Sequence, residues 1–571
     1  MLNTLQMDNN SLKKKLISKV DSAMLGRQRK PQVSIVFLFC LIFISGFLYR
    51  FLWMKPLGEN PPLKLHISPQ NKSISALEKE PQTPNTTQGT GTSYPTAAEQ
   101  ELQTLMKVIE WPAPPGPTEY NFSTSPLTTE FQLLFPRGAY YVGEYVEVLI
   151  TARDHGGRPK AYGGDYFQAK LHSPTLKAGV TGSVTDHRNG TYTASFLLLW
   201  PGQVEISIIL VHSSEAIAVL KDKRETRPDK VYFNGYFHGT GEVVECNLNP
   251  PARNVCEYHD AYTGESWFCI HPKQVPCSAY KGTATGGSRE IHTPEEARLL
   301  DKSVKEKLIS SKVKPFVVLS PAISVDSRAN CSSGLPNPEP SGFYYQDIWY
   351  SRVCKNRAFP HPDNVTKCLT GKIMYMFGDS TTKQWFEFLL RFVPSLQRQD
   401  LHAQFPAPQL AVDMSNKFAI QWQMHEKPLL ILYGDRQEVH YVATELERIG
   451  SNKEGLLVVI NCMAHFVTFP VKVYVRRLQG IRDSVVRLMK RNPLAKVFIK
   501  SANTGYVYTH SSDWLSLQLD LVMRAMFSGL PVTILDTWQM TSCHYLPRDI
   551  HPGPVIVKNE VDLLLSFICP T

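Results

Sequence analysis

The sequence predicts a multidomain chain in three layers of character: an apolar membrane span near the N-terminus, then a β-sandwich, then an α/β domain on a mainly parallel sheet. Three observations predict it. An uncharged apolar run covers Val33 to Tyr49; strands rich in β-branched residues recur with turns from about Ser123 to Leu220; and from Ile373 apolar strands alternate with segments of helical periodicity. At 571 residues the chain exceeds one ordinary domain. Its net charge of +10 is spread along the chain without a basic stripe interleaved with aromatics, so nucleic acid is not an expected partner.

The span, extended by Phe51 to Met54, is near the lower length limit for crossing a bilayer. It starts late for a cleaved signal peptide and lacks a small-residue cleavage site at its end. Lys13, Lys14, Lys15, Lys19, Arg27, Arg29 and Lys30 precede it, whereas Arg50, Lys55 and Lys64 follow. That asymmetry keeps the N-terminus cytosolic. The expectation is a cytoplasmic tail over 1–32, a type II signal anchor over 33–54, and everything later in the secretory lumen or outside the cell. The location is then the Golgi or the cell surface, with a shed or secreted form left open. Two further features agree with a lumenal chain. Acceptor sequons stand at Asn71, Asn85, Asn121, Asn189, Asn330 and Asn364, and ten of the eleven cysteines lie beyond the span, an even number suited to disulfides.

Residues 55–118 are rich in Pro, Thr, Ser, Gln and Asn, a composition that buries too little apolar surface to offset chain entropy, so a flexible stem is expected. Residues 119–285 hold the sandwich and a cysteine-dense end. "YVEVLITARD" and "QVEISIILVH" read as strands, and Asn189-Gly190 is a turn before the strand in "TYTASFLLL". Cys246, Cys256, Cys269 and Cys277 lack zinc-ligand spacing and read as staples; no metal is expected. Residues 286–571 hold the α/β part. "LLVVIN", "KVFIKS" and "VTILD" are strands, and Val471 to Met489 and "WLSLQLDLVMRAMF" are helices.

The candidate chemistry sits in "IMYMFGDSTTKQWF", where a strand runs into Gly378-Asp379-Ser380 and then a helix. Reactive groups of open α/β sheets gather at the carboxyl ends of strands, and a following helix aims backbone N–H groups at a developing oxyanion. A serine nucleophile needs a base, and the base an orienting acceptor. "LPRDIHPG" offers Asp549 and His551. A plain turn serine is the bland alternative; His465 and His544 read as hydrogen-bonded structural histidines, and Asp536, a fallback acid, reads as a strand-end cap.

Gly378-Asp379-Ser380 early and an Asp–His pair late resemble the SGNH/GDSL esterase arrangement. The Asp-x-x-x-Gly-Thr-Tyr pattern before Trp200-Pro201-Gly202 resembles filamin-type immunoglobulin-like repeats. More narrowly, "MFGDSTTKQWFEFL", Ala464 to Tyr474, "KSANTG", "DTWQMTSCHY" and "DIHPG" resemble the neurexophilin and PC-esterase domain (NXPE) family. The resemblance covers most of the chain from Ser123. It implies a neurexophilin-like, immunoglobulin-like domain followed by an SGNH-like PC-esterase domain, with Ser380 as nucleophile, His551 as base and Asp549 as its orienting acid. Gly378, the Ser380 N–H and His465 would shape the oxyanion hole. Two residues depart from the pattern: Arg548 stands where the orienting Asp is usual, and Met463 where a Gly is usual.

The function implied is acyl-ester chemistry, by an esterase or O-acetyltransferase, on sugars of secretory-pathway glycoproteins. No tightly bound cofactor is expected; a transferase would draw on an acyl donor such as acetyl-CoA, although no nucleotide-binding motif is visible. Expected partners are the membrane, crossed once, and a glycan or glycoprotein substrate. The competing class is a catalytically inactive cell-surface or secreted binding protein, with the neurexophilin-like half as ligand or adhesion module.

Overall fold

The computed structural model describes residues 96–260, 264–320, 328–401, 408–426, 440–506 and 510–570, all within one unit, Ser73–Thr571. The cytoplasmic tail, the Val33 to Met54 anchor, most of the stem, and the Asn71 and Asn85 sequons lie outside the described residues. Among the described residues no helix is long and apolar enough to cross a membrane.

Alternation of apolar and polar side chains builds the first region. In β2 (Tyr145–Thr151), Val146, Val148 and Ile150 are buried while their neighbours face outward. It joins β1 (Glu130–Leu133), β3 (Tyr166–Ser173), β4 (Ala178–Asp186), β5 (Thr191–Leu197) and β6 (Gly202–His212) in the antiparallel order β1-β2-β5-β4-β3-β6. β4 belongs to two layers. Ala178–Gly182 pairs with β3 and Ser183–Asp186 with β5, so the sheet folds over on itself around Phe131, Val148, Phe167, Val180, Phe196 and Ile208.

This region does not end where the sequence suggested. Strands at Lys307–Leu308, Ser310–Ser311 and Phe316–Leu319, all beyond residue 286, pair back onto β6, β1 and the sandwich strand Tyr140–Tyr141. Between, a helix α2 (Ser214–Thr226) leads to a five-stranded antiparallel sheet of β7 (Val231–Phe237), β8 (Val244–Asn247), β9 (Val255–His259), β10 (Ser266–Ile270) and β11 (Tyr280–Ser288). Its core is small, chiefly Phe233, Phe237, Val244, Tyr258 and Trp267, and two disulfides, Cys246–Cys269 and Cys256–Cys277, staple it.

The α/β region centres on β12 (Ile373–Gly378), which leads into α3 (Ser380–Phe392). The sheet runs β13 (Gln397–Gln399), β14 (Gln409–Asp413), β15 (Phe418–Met424), β12, β16 (Leu456–Ile460), β17 (Lys496–Lys500), β18 (Thr533–Leu535). The last five are parallel and the two edge strands antiparallel. Every residue of β16 is buried, as a strand covered on both faces requires. α4 (Val471–Arg491) and α5 (Asp513–Met526) bury their apolar stripes in the core on one face; α3 and α7 (Pro554–Ile568) do so on the other, and α6 (Thr537–Cys543) follows β18.

Two expectations are corrected. The stem is ordered from Thr96 onward: α1 (Ala97–Val108) starts with a Thr96–Glu99 capping box, buries Leu105, and ties Glu101 to Arg482 and Gln479 of α4. Leu102, Leu105, Met106 and Ile109 form the apolar stripe that the polar composition concealed. Just beyond, Trp111 donates to the Gly164 carbonyl at 2.7 Å and packs edge-on against Tyr166 and Trp514, pinning sandwich and α/β region together. Eight cysteines pair, not ten: Cys331–Cys354 and Cys368–Cys569 complete the disulfides, while Cys462 and Cys543 are buried free thiols.

Candidate active site

β12 delivers the chain to the carboxyl edge of the sheet at its centre. Gly378 is required there by close packing, since a Cβ would lie 2.5 Å from Thr382 Oγ1. Asp379 then caps α3, accepting from Thr381 N–H at 2.8 Å and Thr381 Oγ1 at 2.7 Å, and Ser380 becomes the first helical residue. The exposed Ser380 Oγ lies 2.6 Å from Nε2 of the equally exposed His551. Residues 171 positions apart are thus brought to hydrogen-bonding distance.

Asp549 is placed differently from the expectation. Its Oδ1 accepts the main-chain N–H of His551 at 2.9 Å. Among the described residues no carboxylate lies within 4.0 Å of a His551 ring nitrogen. The single residue between Asp549 and His551 explains this: at that spacing an Asp side chain closes a local turn onto the backbone two residues on. The His465 ring lies 4.9 Å from that of His425, and its charge acts on Asp379. Met463 turns into the core, where Ser516 Oγ is 3.9 Å from its sulfur, so it does not crowd the site.

Behind the exposed pair lies a buried polar layer. Burial pushes the Asp379 carboxyl up, but His425, Lys500, His465 and the Thr381 hydrogen bond outweigh it and hold it below the usual range. Lys500, at the end of β17, is buried and its pKa lowered by that burial against the pull of Glu560, Asp379 and Asp520. Its ammonium donates to Asn503 Oδ1 at 2.7 Å and to the Ser501 carbonyl at 3.2 Å. Burial and His465 depress His425 to about 3, leaving it neutral, with Nδ1 at 2.8 Å from the Glu426 carbonyl.

The loop carrying His551 is held by groups that sequence reading passed over. Asn503 donates to the Ile550 carbonyl at 2.9 Å, and Gln384 of α3 to the Pro552 carbonyl at 3.2 Å. Gly505, at φ +100, abuts Asp549 so closely that a Cβ would sit 2.6 Å from its Cα. "KSANTG" carried that signal: a Gly in the turn beyond a strand lets another backbone approach closely. Arg548 faces away from Ser380, pairing with Asp513 at 2.8 Å and with Glu306.

A cavity of about 570 Å³ opens between the sandwich and the α/β region, lined by Gln168, Lys170, Arg524, Trp538 and Arg548; Ser380 and His551 do not line it. The one group of His, Cys, Asp and Glu side chains among the described residues close enough to hold a metal is Cys256, His271 and Cys277, two of which form a disulfide. Of the sequons, Asn121, Asn189 and Asn330 are exposed, and Asn364 is half-buried in the first turn of helix Pro362–Leu369.

A family model described as NXPE family member 4-like, C-terminal domain, matches residues 349–569, and one described as Neurexophilin matches residues 145–286. The chain belongs to the NXPE family. The Ser380–His551 pair lies within the first of these matches, and the sandwich from β2 onward, with most of the stapled sheet, within the second, so each region of this NXPE chain carries its own match. Among solved structures it is similar to a carbohydrate esterase family 2 enzyme with its carbohydrate binding domain from Corynascus thermopiles (Myceliophthora fergusii), at 11% identity, 77% coverage of this chain, 98% of that one and a TM-score of 0.22. A likeness that low carries no weight below.

Proposed function

We propose that this protein carries out acyl-ester chemistry on sugars of glycoproteins in the secretory pathway, as a glycan O-acyltransferase or esterase anchored by Val33 to Met54. The observation that carries the reading is the 2.6 Å approach of Ser380 Oγ to His551 Nε2 at the carboxyl end of the central parallel strand. In the proposed reaction His551 Nε2 takes the Ser380 proton as Oγ bonds to the acyl carbon. The bond to the leaving atom, an ester oxygen or the sulfur of a thioester donor, then breaks, and His551 returns the proton to it. The acyl-serine passes its acyl group to water or to a sugar hydroxyl by the same steps in reverse, with a donor such as acetyl-CoA serving the transferase. In this reading the Ser380 N–H at the start of α3 would stabilise the oxyanion, the Thr381 N–H being taken by Asp379.

The openness of the pair suits a polymeric or glycoprotein substrate, since both side chains are exposed. A fluorophosphonate serine probe tests the site, with Ser380 Oγ displacing fluoride from phosphorus. The expected result is labelling of the native chain that vanishes in Ser380→Ala; equal labelling of both would defeat the reading. Profiling of glycan acyl groups in cells with and without the protein then names the sugar and acyl group. The binding-protein alternative is favoured by one observation, the carboxylate missing from the His551 ring, and an unreactive native Ser380 would support it.

A further inference from the structure

The sequence puzzle of Arg548, standing where an acid is usual, has a structural answer on the far side of the His551 loop. The Arg548 guanidinium is nearly buried and makes three contacts. Nη1 donates to Asp513 Oδ2 at 2.8 Å and to Gln168 Oε1; Nη2 donates to Glu306 Oε2. Gln168 lies on β3, and Glu306 immediately precedes Lys307–Leu308, which pairs with β6. Both therefore come from the sandwich. Asp513, fully buried at the start of α5, also accepts from Gly505 N at 2.8 Å and Tyr506 N at 3.0 Å. Gly505 in turn abuts the Asp549 backbone, two residues before His551.

A guanidinium fork has a fixed plane, so partners on three sides fix the position of the chain that bears it. Here those partners come from the sandwich and from α5, and the chain they fix carries His551 three residues on. Asp549 supplies no acceptor to the ring, so the imidazole is aimed by its backbone, and the backbone by these contacts. We propose that the β-sandwich is part of the catalytic apparatus: Gln168 and Glu306 grip Arg548, and Arg548 is the positioning residue that sets His551 against Ser380. This rests on the serine-site reading above. The sandwich then does more than carry a ligand surface. Separated from it, the α/β region would keep Ser380 on β12–α3 but lose the register of its base.

The test is the time course of fluorophosphonate labelling on the full-length chain, with Arg548→Ala, Arg548→Lys, Gln168→Ala and Glu306→Ala beside the native protein. A displaced base and a destabilised fold differ in readout. Mispositioning slows labelling while the final labelled fraction stays complete; partial unfolding lowers that fraction while the folded remainder reacts at the native rate. Arg548→Ala is expected to slow labelling by about 100-fold, the scale of an ångström's misplacement. Gln168→Ala, which removes the acceptor of one Arg548 N–H together with the Gln168 bonds to Asp513 and Tyr166, should slow it by about 5-fold. Arg548→Lys, keeping charge without the fork, should fall between. If Arg548→Ala does not fold, Gln168→Ala and Glu306→Ala carry the decision. Native rates in those variants, or lower final fractions at native rates, would overturn the proposal while leaving the serine site standing. A native chain whose Ser380 does not react at all would overturn both.

Discussion

The front and the back of the site are built on opposite principles. At the front, Ser380 and His551 stand exposed, with their side chains 2.6 Å apart. At the back, Asp379, Lys500 and Asp513 are almost wholly buried, Arg548 nearly so, and their polar groups are engaged across four segments of chain. The difference teaches where the site's geometry resides. Exposed side chains supply reactive atoms but little rigidity, because water competes for each of their hydrogen bonds. Buried polar groups are costly to leave unmatched, so the fold keeps them in one arrangement. Substitution at the front should remove activity and spare stability; substitution at the back should cost stability, and at Arg548 it should also slow the reaction.

The largest effect expected is at the front. Ser380→Ala should abolish probe labelling and His551→Ala should lower it by roughly 10⁴-fold, each with an unfolding free energy within about 0.5 kcal/mol of the native chain. A large stability loss in either would break the comparison. At the back, Asp513→Ala leaves Arg548 and the Gly505 and Tyr506 N–H groups without their acceptor. Chemical denaturation should show a loss of about 3–5 kcal/mol, the scale for breaking a buried pair. A value near zero would mean that the network is ornamental.

Acidity sharpens the comparison further. Burial holds His212 and His425 at about 3, far below the usual 6.5. Native protein keeps them neutral while the unfolded chain takes up protons, so their contribution is intact above pH 6.5 and shrinks as pH falls toward 3. Each such histidine should cost about 1.4 kcal/mol per pH unit in that window. Buried Glu306, raised to about 7, and Asp165, raised to about 6, act in the opposite sense. The histidine share is therefore read by difference: His212→Asn should flatten the pH dependence of unfolding between pH 6.5 and 5 by that amount. An unchanged slope would show that His212 already meets protons in the folded state.

The smallest effect expected is at Asp549. An Asn there still accepts the His551 main-chain N–H, so Asp549→Asn should change labelling by less than about 5-fold. A loss approaching that of His551→Ala would mean that the carboxylate reaches the imidazole during reaction, as the family resemblance implies.

What could be read from the sequence follows the same division. Ser380 and His551 were legible because a strand, a Gly-Asp-Ser turn and a helix are local patterns, and because "DIHPG" is a local motif. The parallel strands were legible from continuous apolar runs. The back was not, because its meaning lies in pairings such as Gln168 with Asp513, 345 positions apart, which no local pattern encodes. Arg548 in the sequence looked like a missing acid; only the fold shows that it faces the sandwich. The expected Asp549–His551 contact failed on spacing, since a short polar side chain closes on its own backbone before it can reach a ring beyond. Helix α1 hid in a stretch whose composition reads as disordered, though its capping box and four apolar residues at helical spacing were present. The return of residues 307–319 to the sandwich had no signal of its own, since an edge strand of two to four residues is too short to show a period.

The Cys368–Cys569 bond joins positions 201 apart, and both Ser380 and His551 lie between them. The chain from 368 to 569 is thus a covalent ring, closed just before β12 and just after α7. A protease that cuts an exposed loop inside that ring opens it without releasing a piece: Ser380 and His551 stay on one molecule, and the cleaved protein travels as a single band until reductant is added. Cleavage upstream of residue 368, outside the loops closed by Cys246–Cys269, Cys256–Cys277 and Cys331–Cys354, has no such safeguard and frees the ring whole. The α/β region is therefore built to outlast its own nicking.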